Sequence, residues 1–328
     1  MGHGAIPILV RRLLLVPIMV FVVAAATYAL THVAPGDPVK IIGGARQVEP
    51  EQAELIREEF GLKGTYVERF GRYVWGVVSE GDLGPSYYYR SPKRSVQELL
   101  GERIWVSAHI NLIVLFLIFG IGIPIGVYVA VNRGTWKDPA TIGFLKIFDS
   151  IPSPIMIVLV VWLMVEFLAP VFNFLGFNVP AVWTPGDPAS YIVPLIALSI
   201  GAFGGMGRFV RISMLATMDE DYVRTAQAKG LTERYILYRH VLRNGLLPLS
   251  TNFGLAVVGV IAGSIVIETR YGIPGVGAFI FESITQRDWN VILGFTLLVA
   301  TLIIVANALI DVLYIFIDPR IRFTERIA

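Results

Sequence analysis

Six apolar runs, at roughly 13–33, 107–131, 147–169, 191–207, 250–268 and 291–317, decide what this chain can fold into. Each is long enough to cross about 30 Å of hydrocarbon as a helix. Hydrocarbon offers no partner to an unpaired backbone amide or carbonyl, so such runs enter a bilayer as helices. Composition agrees: of 328 residues, 55% are hydrophobic and only 16% charged, whereas a soluble domain carries about 25% charged residues. The expected fold is an all-α membrane protein of six transmembrane helices, with an extracytoplasmic helical insertion between the first and second. The fourth run is the shortest, and extends to about Leu215 if Arg208 and Arg211 are accommodated.

Arg11 and Arg12 precede the first run, the arrangement of a signal peptide. The run is longer than the about 7–15 residues of a signal's apolar region, so it reads as an uncleaved span. Basic residues then set the orientation. Arg133, Lys137 and Lys146 follow span two, and Arg208, Arg211, Arg224, Lys229, Arg234, Arg239 and Arg243 follow span four. The tail carries Arg320, Arg322 and Arg326, whereas the short loops on the opposite side hold only Arg270 and Arg287. The positive-inside rule places both termini in the cytoplasm of a cell membrane. The chain then divides into a cytoplasmic N-terminus and first span (1–33), an external insertion (34–106), a five-span core (107–317) with a cytoplasmic loop at 208–248, and a cytoplasmic tail (318–328).

Several chemistries are excluded. A net charge of +2, from 27 Lys and Arg against 25 Asp and Glu, is too balanced for a nucleic-acid partner. With no cysteine there is no disulfide, thiol catalysis or Cys-held metal. The histidines at 3, 32, 109 and 240 lie too far apart for a zinc motif. No phosphate-binding GxxxxGK[ST] loop and no GxSxG elbow occurs, so no catalytic residue, metal ligand or bound cofactor is assigned.

In the insertion, Pro50 to Phe60 reads as a helix with acids in its first turn and Gly61 after its end. A second helix is expected at about 65–79, followed by a turn at Gly81-Asp82-Leu83-Gly84. Tyr87, Tyr88 and Tyr89 suggest either an aromatic anchor at the membrane surface or contact with a docking partner.

The loop after span four is the most informative stretch. Residues 219–231 predict a short helix with Asp221 in the acidic first turn, Lys229 in the last turn and Gly230 at the left-handed end position. Its small Ala226 and Ala228 suit a helix that enters a partner's groove, the alternative being a solvated hairpin between spans. Residues 232–244 predict a basic amphipathic helix with Tyr235, Tyr238, Val241 and Leu242 on its apolar side.

The stretch Asp221-Tyr222-Val223-Arg224-Thr225-Ala226-Gln227-Ala228-Lys229-Gly230 resembles the EAA loop of ABC-transporter permeases, in the variant of the dipeptide/oligopeptide permease family. Arg224 stands where the general motif has Glu, and Gly230 lies farther from Pro248 than in that motif. The resemblance continues in Ala34-Pro35-Gly36-Asp37-Pro38, Gly81-Asp82-Leu83-Gly84 with Ser86, Arg239-His240 with Arg243-Asn244, Glu268 with Pro274-Gly275 and Gly277, Arg287-Asp288, Asn307 with Asp311, and Asp318-Pro319-Arg320. The chain departs from the family at Gly61-Leu62-Lys63-Gly64-Thr65.

The resemblance implies a permease that forms half of a translocation pore for peptides. Its implied partners are a second homologous permease, two ATP-binding subunits that act on ATP and Mg, an extracytoplasmic solute-binding protein and membrane lipid. It further implies that Asp221, Tyr222, Arg224, Thr225, Ala226, Ala228, Lys229 and Gly230 couple the chain to the ATPase subunits. Polar residues within or beside the spans are candidates for the pathway or gate: Asn111, Asn252, Glu268, Asn307 and Asp311, with Pro274 and Gly275 as a reentrant turn or a simple tight loop. The same residues have structural readings. Asn111 and Asn252 can hydrogen-bond neighbouring helices, and Glu166 and Glu268 can sit at the membrane interface. Gly120, Gly122 and Gly126 are read as close helix packing rather than as a filter. Competing functions are the same family with oligosaccharide, nickel or another small solute as cargo, a stand-alone secondary transporter, and an intramembrane enzyme.

Overall fold

The structure, a computed structural model, describes residues 5–33, 36–43, 49–90, 93–176, 178–249, 256 and 259–317, without the side chains at 5–13, 32, 90 and 310–317. In chain order the elements are α1 (Ala5–Val33), α2 (Pro38–Gly43), α3 (Pro50–Glu59), α4 (Tyr66–Glu80), β1 (Pro85–Arg90), β2 (Lys93–Ser95) and α5 (Val96–Val131). Then come α6 (Lys137–Asp149), α7 (Ser153–Val161), α8 (Ala169–Phe174), α9 (Ile192–Met218), α10 (Asp221–Ala228), α11 (Glu233–Ile236), α12 (Arg243–Gly245), α13 (Ile265–Tyr271), α14 (Val276–Gln286) and α15 (Trp289–Ile317). They form two compact units, Met1–Trp105 with Gly275–Ala328, and Val106–Pro274.

Among the described residues four helices are long and apolar enough to cross a membrane: Leu14–Thr31, Val96–Val131, Pro188–Met218 and Trp289–Leu309. A fifth crossing results if Lys137–Asp149 and Ser153–Phe167, bent by 89°, are taken together. The chain is thus a helical membrane protein. Residues 250–255, 257 and 258 of the run expected at 250–268 lie outside the described residues.

In the first unit α1 lies along α15. The two helices expected in the insertion are present. Thr65 caps α4 through a reciprocal pair: its hydroxyl accepts from the Glu68 amide, and the Glu68 carboxylate accepts from the Thr65 amide at 2.9 Å. Gly81 closes α4 at φ +66°, a left-handed conformation that glycine adopts without strain. The chain beyond the Gly81–Gly84 turn is extended, not helical. β1 and β2 form a two-stranded antiparallel ribbon that the expected fold lacked. Strand alternation sorts the three tyrosines. Tyr87 is buried against Phe60 and Ile42. Tyr89 packs on Phe279, with Arg103 4.2 Å above the Phe279 ring. Tyr88 faces solvent. The triplet is therefore mainly internal packing.

The second unit is organised around α9. The extension past Arg208 and Arg211 considered from sequence is present: α9 runs on to Met218, with both arginines paired to α6. Arg211 grips Asp138 with two hydrogen bonds, of 2.8 and 2.7 Å, and Arg208 pairs with Asp149. The third span also differs from its apolar run. The chain breaks at Ser150–Pro152, where the residue before a proline resists helical geometry, and α6 lies across α7. Farther along, Trp162–Phe167 widens into a π turn that ends three residues before Pro170, whose missing N–H cannot continue an α-helical ladder. α5 meets α9 through glycine. A Cβ on Gly122 would lie 2.6 Å from the Met206 side chain, and one on Gly126 2.6 Å from the Gly207 carbonyl. Gly120 has nothing within 4 Å, so the packing role expected of three glycines belongs to two.

Candidate functional site

The 219–231 stretch folds as a helix held by two residues. Val223, 2% exposed, and Ala226 enter one buried cluster with Ala130 of α5, Val210 and Met214 of α9, and Ile236 and Val241 beyond. Three positions apart, they mark the inner face of α10. Asp221, Tyr222, Arg224, Thr225, Gln227, Ala228, Lys229 and Gly230 all stay exposed. Ala226, read in the sequence as part of a docking surface, faces inward.

Both ends of α10 are built for a sharp exit. Asp221 lies at its positive end, where it makes an exposed pair with Arg224 at 3.6 Å. At the other end the Gly230 amide donates to the Gln227 carbonyl at 2.9 Å and the Leu231 amide to that of Ala226 at 3.4 Å. Gly230 takes φ +73°, which completes the glycine-closed helix end anticipated from sequence. The Tyr222 hydroxyl accepts from the Asn244 amide at 3.0 Å and donates to the His240 carbonyl at 3.4 Å. Two segments singled out separately in the sequence are thus fastened together. Arg133 adds a pair with Asp219 at 3.3 Å, a tie that sequence reasoning missed because 86 residues separate its ends.

The basic segment after α10 corrects its expected pattern. α11 passes through a π stretch, Leu237–Leu242, into α12. In a π turn residues five apart align, so Ile236 and Val241 are buried while Tyr235 and Tyr238 are exposed. Arranged as an ordinary helix, the tyrosines would have shared Val241's buried side. They stand on the outer surface instead, with Tyr222 and Leu231 also exposed.

The candidate pathway residues do not form one cluster. Glu268 is 3% exposed; its carboxylate accepts from the Ser107 hydroxyl at 2.8 Å and the Ser264 amide at 3.0 Å, tying α5 to the start of α13. This burial replaces the interface position considered from sequence. Asn111 donates to the Val260 carbonyl at 3.2 Å. Glu166 forms an ion pair with Arg270 at 3.8 Å. Pro274 precedes Gly275, which caps α14 in an extended conformation. Asn307 is exposed on α15. Asn252 and the Asp311 side chain lie outside the described residues. Among those described, no group of three or more His, Cys, Asp and Glu is placed to hold a metal ion.

Known proteins resemble the chain along almost its whole length. Residues 122–323 match the family described as binding-protein-dependent transport system inner membrane component. Residues 5–92 match the family of the N-terminal part of such membrane components. The dipeptide transport system permease protein of Escherichia coli strain K12 is 35% identical over 338 residues, covering 96% of this chain and 98% of the relative. The oligopeptide transport system permease protein of Haemophilus influenzae is 31% identical over 314 residues, covering 95% and 98%. Its counterpart in Escherichia coli strain K12 is 33% identical over 315 residues, covering 96% and 99%.

Proposed function

We propose that this chain, which belongs to the family of binding-protein-dependent transport system inner membrane components, is the permease subunit of an ABC importer for peptides. Peptide cargo follows the relatives, whose names assign them to dipeptide and oligopeptide transport. A second homologous permease would complete the pathway, two ATP-binding subunits would hydrolyse ATP with Mg, and an external solute-binding protein would deliver cargo. In this reading both termini and α10 are cytoplasmic, in keeping with the basic residues around them.

The observation that carries the reading is the way α10 is mounted. Its inner residues Val223 and Ala226 share a buried cluster with Val210 and Met214 of α9. Its outer residues, from Tyr222 to Gly230, are free to meet a partner. A close-packed interior transmits displacement instead of absorbing it. A partner that moves α10 on binding ATP therefore displaces α9, a helix apolar enough to span the membrane. Two arrangements biased by a distant ligand are what alternating access requires.

Mild-detergent capture of the tagged chain from its native host tests the assignment. Two nucleotide-binding subunits and a second permease are expected to come with it. A homo-oligomer without ATPase subunits, from a host that supplies every partner, would overturn it.

A further inference from the structure

α4 presents three different faces. Its polar side carries Arg69, Tyr73 and Gly76, which line a cavity of about 300 Å³ together with Asp82 and Trp289. A second side meets α1: the Phe70 ring lies 5.7 Å from Phe21 and 5.2 Å from Tyr28, and Tyr66 lies 5.3 Å from Tyr28. The third side is apolar and exposed, with Val67 at 74%, Trp75 at 71% and Val78 at 77%, and Gly71 between them. At positions 67, 71, 75 and 78 these residues form one helical stripe. Exposed Glu68, Arg72 and Ser79 flank the stripe on the side away from α1.

The contact with α1 sets the depth of this stripe. α1 is long and apolar enough to cross the bilayer over Leu14–Thr31. At 1.5 Å per residue, Tyr28 sits about 5 Å and Phe21 about 15 Å below the end at Thr31. Phe70 touches both rings, and Phe21 joins Val67, Gly71, Trp75 and Val78 in a single apolar groove. The exposed faces are continuous, because Ile18 and Val22 of α1 are also bare beside Phe21. A helix whose apolar side reaches about 5–10 Å into the acyl boundary, with its polar side towards water, is the arrangement of an interfacial membrane helix.

We infer that α4 is embedded in the membrane surface at the C-terminal end of α1, with Val67, Gly71, Trp75 and Val78 against lipid acyl chains. The insertion is thereby anchored to the bilayer as well as to the helix that enters it. The occupant of the groove is lipid rather than a protein, since the same groove contains a residue from the interior of the first span. In the proposed orientation the leaflet is the outer one, but immersion itself does not depend on sidedness.

Trp75 reports the answer. The assembled transporter would be reconstituted into vesicles containing lipids brominated along the acyl chain, and its fluorescence compared with that of Trp75→Phe; the difference isolates Trp75 from the other five tryptophans. Brominated lipid is expected to remove most of the Trp75 emission, shallow bromine more than deep, while aqueous iodide leaves it unchanged. Quenching by iodide and not by lipid would place the stripe in water and overturn the inference. Protection from both would mean that a protein surface covers it, which overturns it equally. The exposed Trp75 makes the phenylalanine variant benign to the fold, and the depth readout is independent of whether the cargo is a peptide.

Discussion

Ser86 donates its hydroxyl hydrogen to the carboxylate of Asp288, 202 residues away in the chain, inside the first unit. The same carboxylate accepts from the backbone amides of Tyr87 at 3.0 Å and Tyr88 at 3.2 Å, and Asp288 is 2% exposed. Ser86 in turn accepts from the Tyr89 amide at 3.0 Å. One buried carboxylate therefore organises the strand after the Gly81–Gly84 turn. An amide side chain has one acceptor oxygen and brings two hydrogens to a site already full of donors. Asp288→Asn is expected to destabilise the protein by about 1–3 kcal/mol, seen as a lower midpoint of thermal unfolding in detergent. Ser86→Ala should lower it less, since the Tyr87 and Tyr88 amides keep the Asp288 carboxylate and only the Tyr89 amide loses its acceptor. An unchanged midpoint for Asp288→Asn would remove the cluster from any account of this unit's stability.

Alkaline pH offers a second view of the same region. Burial raises the Tyr87 phenol above its ordinary value of 10.0, and the Asp288 carboxylate adds to the effect. Burial likewise raises Tyr73, with Asp82 contributing next. A phenol that ionises more readily when unfolded contributes stability that is complete below pH 10.0 and declines as pH rises towards the folded-state value. In a spectroscopic titration of tyrosinate, both residues should fall in the class that ionises late or only on unfolding. The double variant Tyr73→Phe, Tyr87→Phe is expected to shrink that class and to flatten the alkaline loss of stability. A late class of undiminished size would show that neither phenol belongs to it.

Much of this architecture is legible in the sequence because the signals are local. Apolar length announces the spans, Thr65 and Glu68 announce the start of α4, and Gly230 announces the end of α10. The remainder depends on partners far along the chain. Arg208 and Arg211 look like the end of a membrane run until Asp149 and Asp138 are found beside them. The 89° bend before α7 falls at Asp149-Ser150-Ile151-Pro152, a polar and proline-bearing break that the apolar character of the run around it outweighs. The π stretch at Leu237–Leu242 changes which residues share a face, so Tyr235 and Tyr238 change sides with no change in composition. Glu268 reads as a charge near a span's end, and its buried hydroxyl and amide partners are visible only once α5 is folded beside it.

Glycine packing between α5 and α9 separates two residues that look alike in sequence. A Cβ on Gly126 would meet the Val210 Cβ at 2.5 Å and the Gly207 carbonyl at 2.6 Å, the latter backbone that cannot swing aside. Gly126→Ala should therefore cost about 1–3 kcal/mol by overpacking. Gly120→Ala meets nothing within 4 Å and replaces glycine inside a helix, which favours the helix by about 0.5–1 kcal/mol. Thermal midpoints of the two variants should move in opposite directions. Equal effects would mean that α5 and α9 are not in this register.

Gly230 carries the sharpest test of coupling. Its backbone sits at φ +73°, yet an added Cβ would meet nothing within 4 Å. Any penalty therefore comes from conformation alone, and it differs by residue type. Asparagine tolerates the left-handed region, whereas for an ordinary L-residue the region costs roughly 1–2 kcal/mol, and a β-branched side chain fits it worst. The helix end would relax by moving Lys229 and Leu231, the exposed edge of α10. The buried anchors Val223 and Ala226 would stay in place. Gly230→Val is thus expected to leave the membrane helices folded and the transporter assembled while ATP hydrolysis loses its link to uptake. Gly230→Asn should retain most of the coupling. Parallel assays of hydrolysis and cargo uptake in reconstituted vesicles read this directly. Full uptake by Gly230→Val would detach the geometry of this helix end from the transport cycle, because no contact of the missing side chain exists to explain the result otherwise.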